Sequence, residues 1–228
     1  MAPATARFTG FTPQALTLLA QLAKHNDRAW FAPRKERFAA ELLEPLRDLV
    51  VDASDALRRE KLPLSGDPKR SLFRIYRDVR FGPNKAPYKT NLAAYLSFDG
   101  ARDTPGGLYV HVEPKRSFLA AAFYQIDKPL LERWRGAVAA RPAAFAAVVR
   151  ALARRGLEIA DDGDALLRMP RGFEGLAAHP LAPYLRMRSF VVRRDLADAD
   201  LHSTVLVERI VSLAKDAKPL YAFGWALL

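Results

Sequence analysis

Apolar positions first recur at helical spacing. Leu16, Leu19 and Leu22, joined by Ala15, Leu18 and Ala23, mark one face of a helix running to Lys24. Thr12-Pro13 gives its start signal, a hydroxyl cap followed by proline at the first helical position. His25-Asn26-Asp27 breaks the pattern, and Asp27 predicts a capped short turn carrying Trp30 and Phe31. A second helical stretch is predicted over residues 33–60. Pro45 should kink or split it, because proline has no N–H for the internal ladder.

After a loop at 62–67 the period changes from helical to alternating. Phe73, Ile75, Val79 and Phe81 alternate with Leu72, Arg74, Tyr76, Asp78 and Arg80, predicting a strand with one buried face. Arg77 falls on the apolar side, which requires either a bulge or a buried partner. Gly82-Pro83-Asn84 predicts a turn, and residues 90–98 a second strand. Residues 108–113 and 117–126 predict a hairpin around Pro114-Lys115-Arg116. Helices follow from Asp127 (a cap before Pro129) and over 142–155. Short strands at 157–160 and 189–194 precede closing helices at 200–214 and 219–228.

Strands cluster in mid-chain with helices at both ends. That order predicts α+β architecture, a mostly antiparallel central sheet flanked by N- and C-terminal helices. No linker composition interrupts residues 1–228, so one domain is expected.

Composition then narrows the chemistry. The chain has no cysteine, excluding disulfides, thiolate metal sites and cysteine nucleophiles. The N-terminus lacks the apolar core of a signal peptide, and no apolar run is long enough to span a membrane. A cytoplasmic protein with no membrane partner is the expectation. The formal net charge of +11 raises nucleic acid as a partner. Arginine and alanine abundance is also what a GC-rich genome produces without any such role.

That charge is concentrated. Residues 69–89 hold seven basic groups, Lys69, Arg70, Arg74, Arg77, Arg80, Lys85 and Lys89, against the single acid Asp78. Apolar residues lie between them, so the segment folds rather than forming a solvated tail. Fixed Arg and Lys groups recognise phosphate and carboxylate. On a strand, Arg74, Tyr76, Asp78 and Arg80 would share one face, with Asp78 orienting its neighbours. Beyond the turn, Lys85, Tyr88 and Lys89 return to the same neighbourhood. The expected anion-binding set is therefore Arg74, Arg77, Asp78, Arg80, Lys85, Tyr88 and Lys89, taking a small, phosphorylated ligand. Two alternatives stay open: electrostatic nucleic-acid binding through Arg133, Arg135, Arg154, Arg155, Arg193 and Arg194, and an Arg/Asp network paired internally within an interaction module.

Other motifs exclude more than they suggest. Residues 82–90 end in Lys-Thr but lack the glycine of a phosphate-binding loop. His25, His111, His179 and His202 are too scattered to predict a metal site, and no cofactor is expected. Asp161, Asp162 and Asp164 predict a solvated turn. His111 and Glu113 share a strand face and could form an acid–base pair, though a structural pair is the simpler reading. Trp30-Phe31 predicts a core anchor.

Asn26-Asp27-Arg28-Ala29-Trp30-Phe31, RIYRDVRFGPNKAPYKT (74–90), GLYVHVEP (107–114), HPLAPYLRMRSF (179–190) and AKPLYAF (217–223) occur in that order. Together they resemble a widespread bacterial family of conserved hypothetical proteins, a domain of unknown function. The resemblance covers nearly the whole chain and implies a single-domain protein with the Arg-Ile-x-Arg-Asp-x-Arg-Phe-x-x-x-Lys-x-Pro-Tyr-Lys core as its signature. It implies no activity. The family tends to carry glycine where Ala120-Ala121-Ala122 stand and near Lys115. If those glycines admit a ligand to the backbone, the alanine methyls should narrow the site.

Overall fold

The computed structural model describes residues 7–78, 80, 85–101, 103–160 and 163–228. The fold is α+β. Strands β1 (Leu92–Ser97), β2 (Gly107–Val112), β3 (Phe118–Phe123) and β4 (Phe190–Asp195) form an antiparallel sheet in the order β1-β2-β3-β4. Each matches an apolar segment of the sequence: β1 and β3 are shorter than expected by one to three residues at each end, and β2 and β4 are shifted by one residue. Residues 157–160 do not join the sheet as a strand. They contribute one isolated bridge, Ala160 to Val191.

Helix starts follow local capping chemistry. In α1 (Pro13–Lys24), the Thr12 side chain accepts from Ala15 N–H. In α2 (Arg28–Phe31), Asp27 accepts from Trp30 N–H at 2.8 Å. The next helical stretch is broken, as Pro45 requires. A 3₁₀ turn (Ala32–Arg34) leads into α3 (Lys35–Phe38), then a π turn (Ala39–Leu43), then α4 (Glu44–Arg59). Glu44 N–H reaches back to Ala39 O across five residues, so the widened turn falls immediately before the proline that cannot donate.

The chain divides into two compact units. One contains residues to Thr104, Leu108–Leu119 and Asp195–Ser212; the other contains Pro105–Gly107, Ala120–Arg194 and Leu213–Leu228. In the first, α1 buries Leu18, Leu19 and Leu22, and α4 lies against β1 with Leu46, Leu49 and Val50 inside. A 3₁₀ turn (Asp198–His202) holds the N-terminal segment: Phe11 N–H donates to Leu201 O, and His202 Nδ1 donates to Phe11 O at 2.7 Å. Gly10 allows this contact. Its φ is +109°, and a Cβ there would lie 2.2 Å from the His202 carbonyl carbon. The closing helix predicted from residue 200 begins later, as α8 (Val205–Asp216), because this turn intervenes.

In the second unit, α5 (Lys128–Ala140), α6 (Pro142–Ala153), the short α7 (Ala182–Arg186) and α9 (Lys218–Trp225) surround an aromatic core. Trp134 stacks on Phe190 at 4.0 Å and meets Phe223 edge-on at 5.1 Å. Asp127 caps α5 through Leu130 N–H. No single helix among the described residues is long and apolar enough to cross a membrane.

The predicted strand over 72–81 requires correction. No regular strand is present among its described residues. Leu72 bridges Ala94 and Tyr76 bridges Tyr88, both antiparallel. Four residues separate Leu72 from Tyr76, whereas six separate Tyr88 from Ala94. The two extra residues therefore sit in the partner segment, around Thr90 and Asn91, and interrupt the ladder as a wide irregularity. Arg77 is exposed rather than buried with a partner. Val79, Phe81 and the turn at Gly82-Pro83-Asn84 lie outside the described residues.

Candidate functional site

The basic segment borders a pocket of about 380 Å³ lined by Arg28, Phe31, Ala32, Lys35, Tyr76, Arg77, Pro87 and Tyr88. Its construction starts at Asn26. The Asn26 amide donates to Tyr88 O at 2.9 Å and accepts from Tyr88 N–H at 3.0 Å, so one side chain satisfies both backbone groups of Tyr88. The clamp fixes α2 and α3 beside a segment 62 residues away. Phe31 then lies 4.3 Å from the Tyr88 ring, and Tyr76 lies 5.5 Å from it. Backbone pairing completes the wall, with Arg77 N–H on Pro87 O and Lys89 N–H on Ile75 O.

Three cations line this pocket and, among the described residues, no acid does. Among the described residues, no carboxylate pairs with Arg28, Lys35 or Arg77. Tyr88 is buried, and burial pushes its phenol up from the usual range; nearby Tyr76 adds to this, while Arg28 opposes it. Tyr76 is 48% exposed and gives the pocket an aromatic rim.

Of the seven residues expected from sequence, Arg77 and Tyr88 line the pocket. Arg74, Asp78, Arg80, Lys85 and Lys89 do not. Arg80 forms a two-point pair with Asp78, Nε to Oδ1 at 3.0 Å and Nη2 to Oδ2 at 2.7 Å. That pairing holds the Asp78 carboxyl below its usual range, with a smaller contribution from Arg74. The Lys89 ammonium sits 5.4 Å from the centre of the Phe73 ring. Arg74 and Lys85 are exposed. Sequence reasoning missed Arg28, Lys35 and the Asn26 clamp. The signal lies in Asn26-Asp27-Arg28-Ala29-Trp30-Phe31, whose two aromatics draw attention away from its amide and its arginine.

Those aromatics part company in the structure. Phe31 is in the core, 5.4 Å edge-on to Phe38, whereas Trp30 is half-buried between His25 and Arg34. The alanines of β3 are all buried and line no part of this pocket. Lys115 adopts φ +66°, a left-handed conformation that glycine takes without strain.

Beside β2 the structure gathers a second polar group. His111 Nε2 lies 3.3 Å from Glu113 Oε2, so the pair read from the sequence is in contact. Thr90 Oγ1 donates to Glu113 Oε1, and Arg116 Nε lies 3.6 Å from Glu113 Oε2. Among the described residues, no three His, Asp or Glu side chains gather as metal ligands would. Asp161 and Asp162 lie outside the described residues, and Asp164 accepts from the Ser189 hydroxyl.

The arginines considered for nucleic acid are partly engaged. Arg135 is buried, its guanidinium on Leu185 O and Met187 O. Arg155 and Arg194 share Asp216, at 3.2 and 3.0 Å. Arg133 donates to Leu227 O.

The chain belongs to the conserved hypothetical protein family DUF2461, whose model matches residues 14–223. No curated protein and no solved structure matches it.

Proposed function

We propose that the pocket formed by α2, α3 and residues 76–77 and 87–88 binds a small anionic ligand, a phosphate ester with an aromatic or apolar body. One observation carries this reading: Arg28, Lys35 and Arg77 line one pocket with no acid beside them among the described residues. Like charges brought together in a fold are neutralised by an internal acid or by something from solution. Phosphate satisfies several such donors at once, and Phe31, Tyr76 and Tyr88 offer surface for the rest of the molecule.

The probes are inorganic phosphate and adenosine monophosphate, followed by thermal shift and calorimetry. A ligand bound only by the folded state raises the melting temperature with concentration. Arg77→Ala should abolish the rise, and Arg80→Ala, which removes a cation already held by Asp78, should preserve most of it. No stabilisation by either probe, or equal losses in the two variants, would overturn the assignment.

A further inference from the structure

The polar group beside β2 has a defined proton order. Glu113 in its carboxylate form only accepts, so His111 Nε2 must be the donor across their 3.3 Å contact. Nδ1 of the neutral ring is then an acceptor. Among the described residues, the Asn91 amide at 3.4 Å and the Tyr109 hydroxyl at 3.3 Å address it as donors. The ring is also fixed in plane by stacking on Phe118 at 4.5 Å and 16°. Tyr109 and His111 alternate along one face of β2, and Glu113 continues that spacing one residue past its end. Thr90 and Asn91, the residues where the partner segment carries its excess length, steady Glu113 and His111 respectively.

We infer that Tyr109, His111 and Glu113 form a nucleophilic site for oxygen esters, distinct from the anion pocket and independent of it. A carboxylate, an imidazole and a hydroxyl in series is the arrangement that activates a hydroxyl for attack. Tyr109 Oη attacks the ester carbonyl carbon while its proton passes to His111 Nδ1, and Glu113 stabilises the imidazolium. The bond from the carbonyl carbon to the leaving oxygen breaks, and that oxygen takes the proton from Nδ1. Water then attacks the tyrosyl ester with His111 as base. Its proton returns to the departing Tyr109 oxygen, the acid is released, and the site is regenerated. Glu113 is a positioning residue.

The test is acetylation of the full chain by p-nitrophenyl acetate, mapped by peptide mass spectrometry. Tyr124, 56% exposed, is the internal reference for an unactivated phenol. Tyr109 should react about a hundredfold faster, the low end for a positioned general base. Its rate should level off with pH well below the titration of a free phenol. His111→Gln should bring Tyr109 to the reference rate, Glu113→Gln should give an intermediate rate, and Tyr109→Phe should remove the fast release of p-nitrophenolate. Acetylation of Tyr109 no faster than Tyr124, or fast acetylation unchanged by His111→Gln, overturns the inference. The rate comparison and pH profile need no variant, so they decide the matter even if His111→Gln fails to fold. Because the probe is small and neutral, it reports on this site whether or not phosphate binds at Arg77.

Discussion

Arginines are handled in opposite ways in two regions of this molecule. In the second unit, Arg135 is buried on backbone carbonyls, and Arg155 and Arg194 converge on Asp216. At the pocket of the first unit, Arg28, Lys35 and Arg77 converge with no carboxylate among the described residues. Equal formal charge therefore corresponds to different work. Where acids or carbonyls meet the guanidinium, the cation holds the fold together; where none does, the proposed ligand would supply the counter-charge. A sequence pI near 10.1 averages over both and distinguishes neither.

Substitutions should separate the two classes. Arg135→Ala has the largest expected effect, because it leaves two buried carbonyls without donors. A loss of about 2–4 kcal/mol is expected in chemical denaturation, with phosphate binding unchanged at temperatures where the variant stays folded. Arg77→Ala should do the reverse. Its stability should stay within about 0.5 kcal/mol of the parent, as for exposed sites. Its phosphate affinity should drop about 10- to 150-fold, the equivalent of one charge-assisted contact. A destabilised Arg77→Ala with intact binding would erase the contrast between the regions.

Asp216→Asn comes next. Its two partners are partly exposed, so a cost of about 1 kcal/mol is expected, shrinking as salt is added, with no change in phosphate binding. The smallest effect concerns Asp78. Arg80 lowers its folded-state pKa, so the ionised carboxylate favours the folded chain. That contribution is present above about pH 4 and fades as pH falls through the lowered value. Asp78→Asn should therefore give a slightly shallower acid decline in melting temperature. A steeper one would contradict the sign of the interaction.

Much of the fold was legible because its causes are local. The caps at Thr12, Asp27 and Asp127 each act on an N–H three residues ahead, and the strands coincide with apolar segments bounded by turn residues. The segment at 72–78 was not legible as it stands. Its alternation is real for Arg74, Ile75 and Tyr76, of which only Ile75 is buried, but the ladder depends on the length of the partner segment. The candidate pocket was half legible for the same reason. Arg77 and Tyr88 lie inside the basic run, whereas Arg28 and Lys35 arrive through the Asn26 clamp on Tyr88. His111 and Glu113 were readable as a pair because alternate residues of a strand share a face. Tyr109 obeys the same rule but is harder to single out, since a tyrosine at that spacing carries no charge to mark it.

The isolated bridges at Leu72 and Ala160 have a consequence for how molecules of this protein behave in a crowd. β1 and β4 are the outermost strands, and a bare outermost strand offers its N–H and C=O groups to any passing chain. On β1, Ala93 O accepts from Phe73 N–H and Tyr95 N–H donates to Ser71 O; on β4, Val191 O accepts from Ala160 N–H. Each flank thus carries a short irregular stretch that takes up some of its backbone groups. The residues that lead into the candidate pocket therefore also cover part of the outer edge of β1. Loosening of residues 71–77 would first appear as sticking between molecules at high concentration, before any loss of helix or sheet.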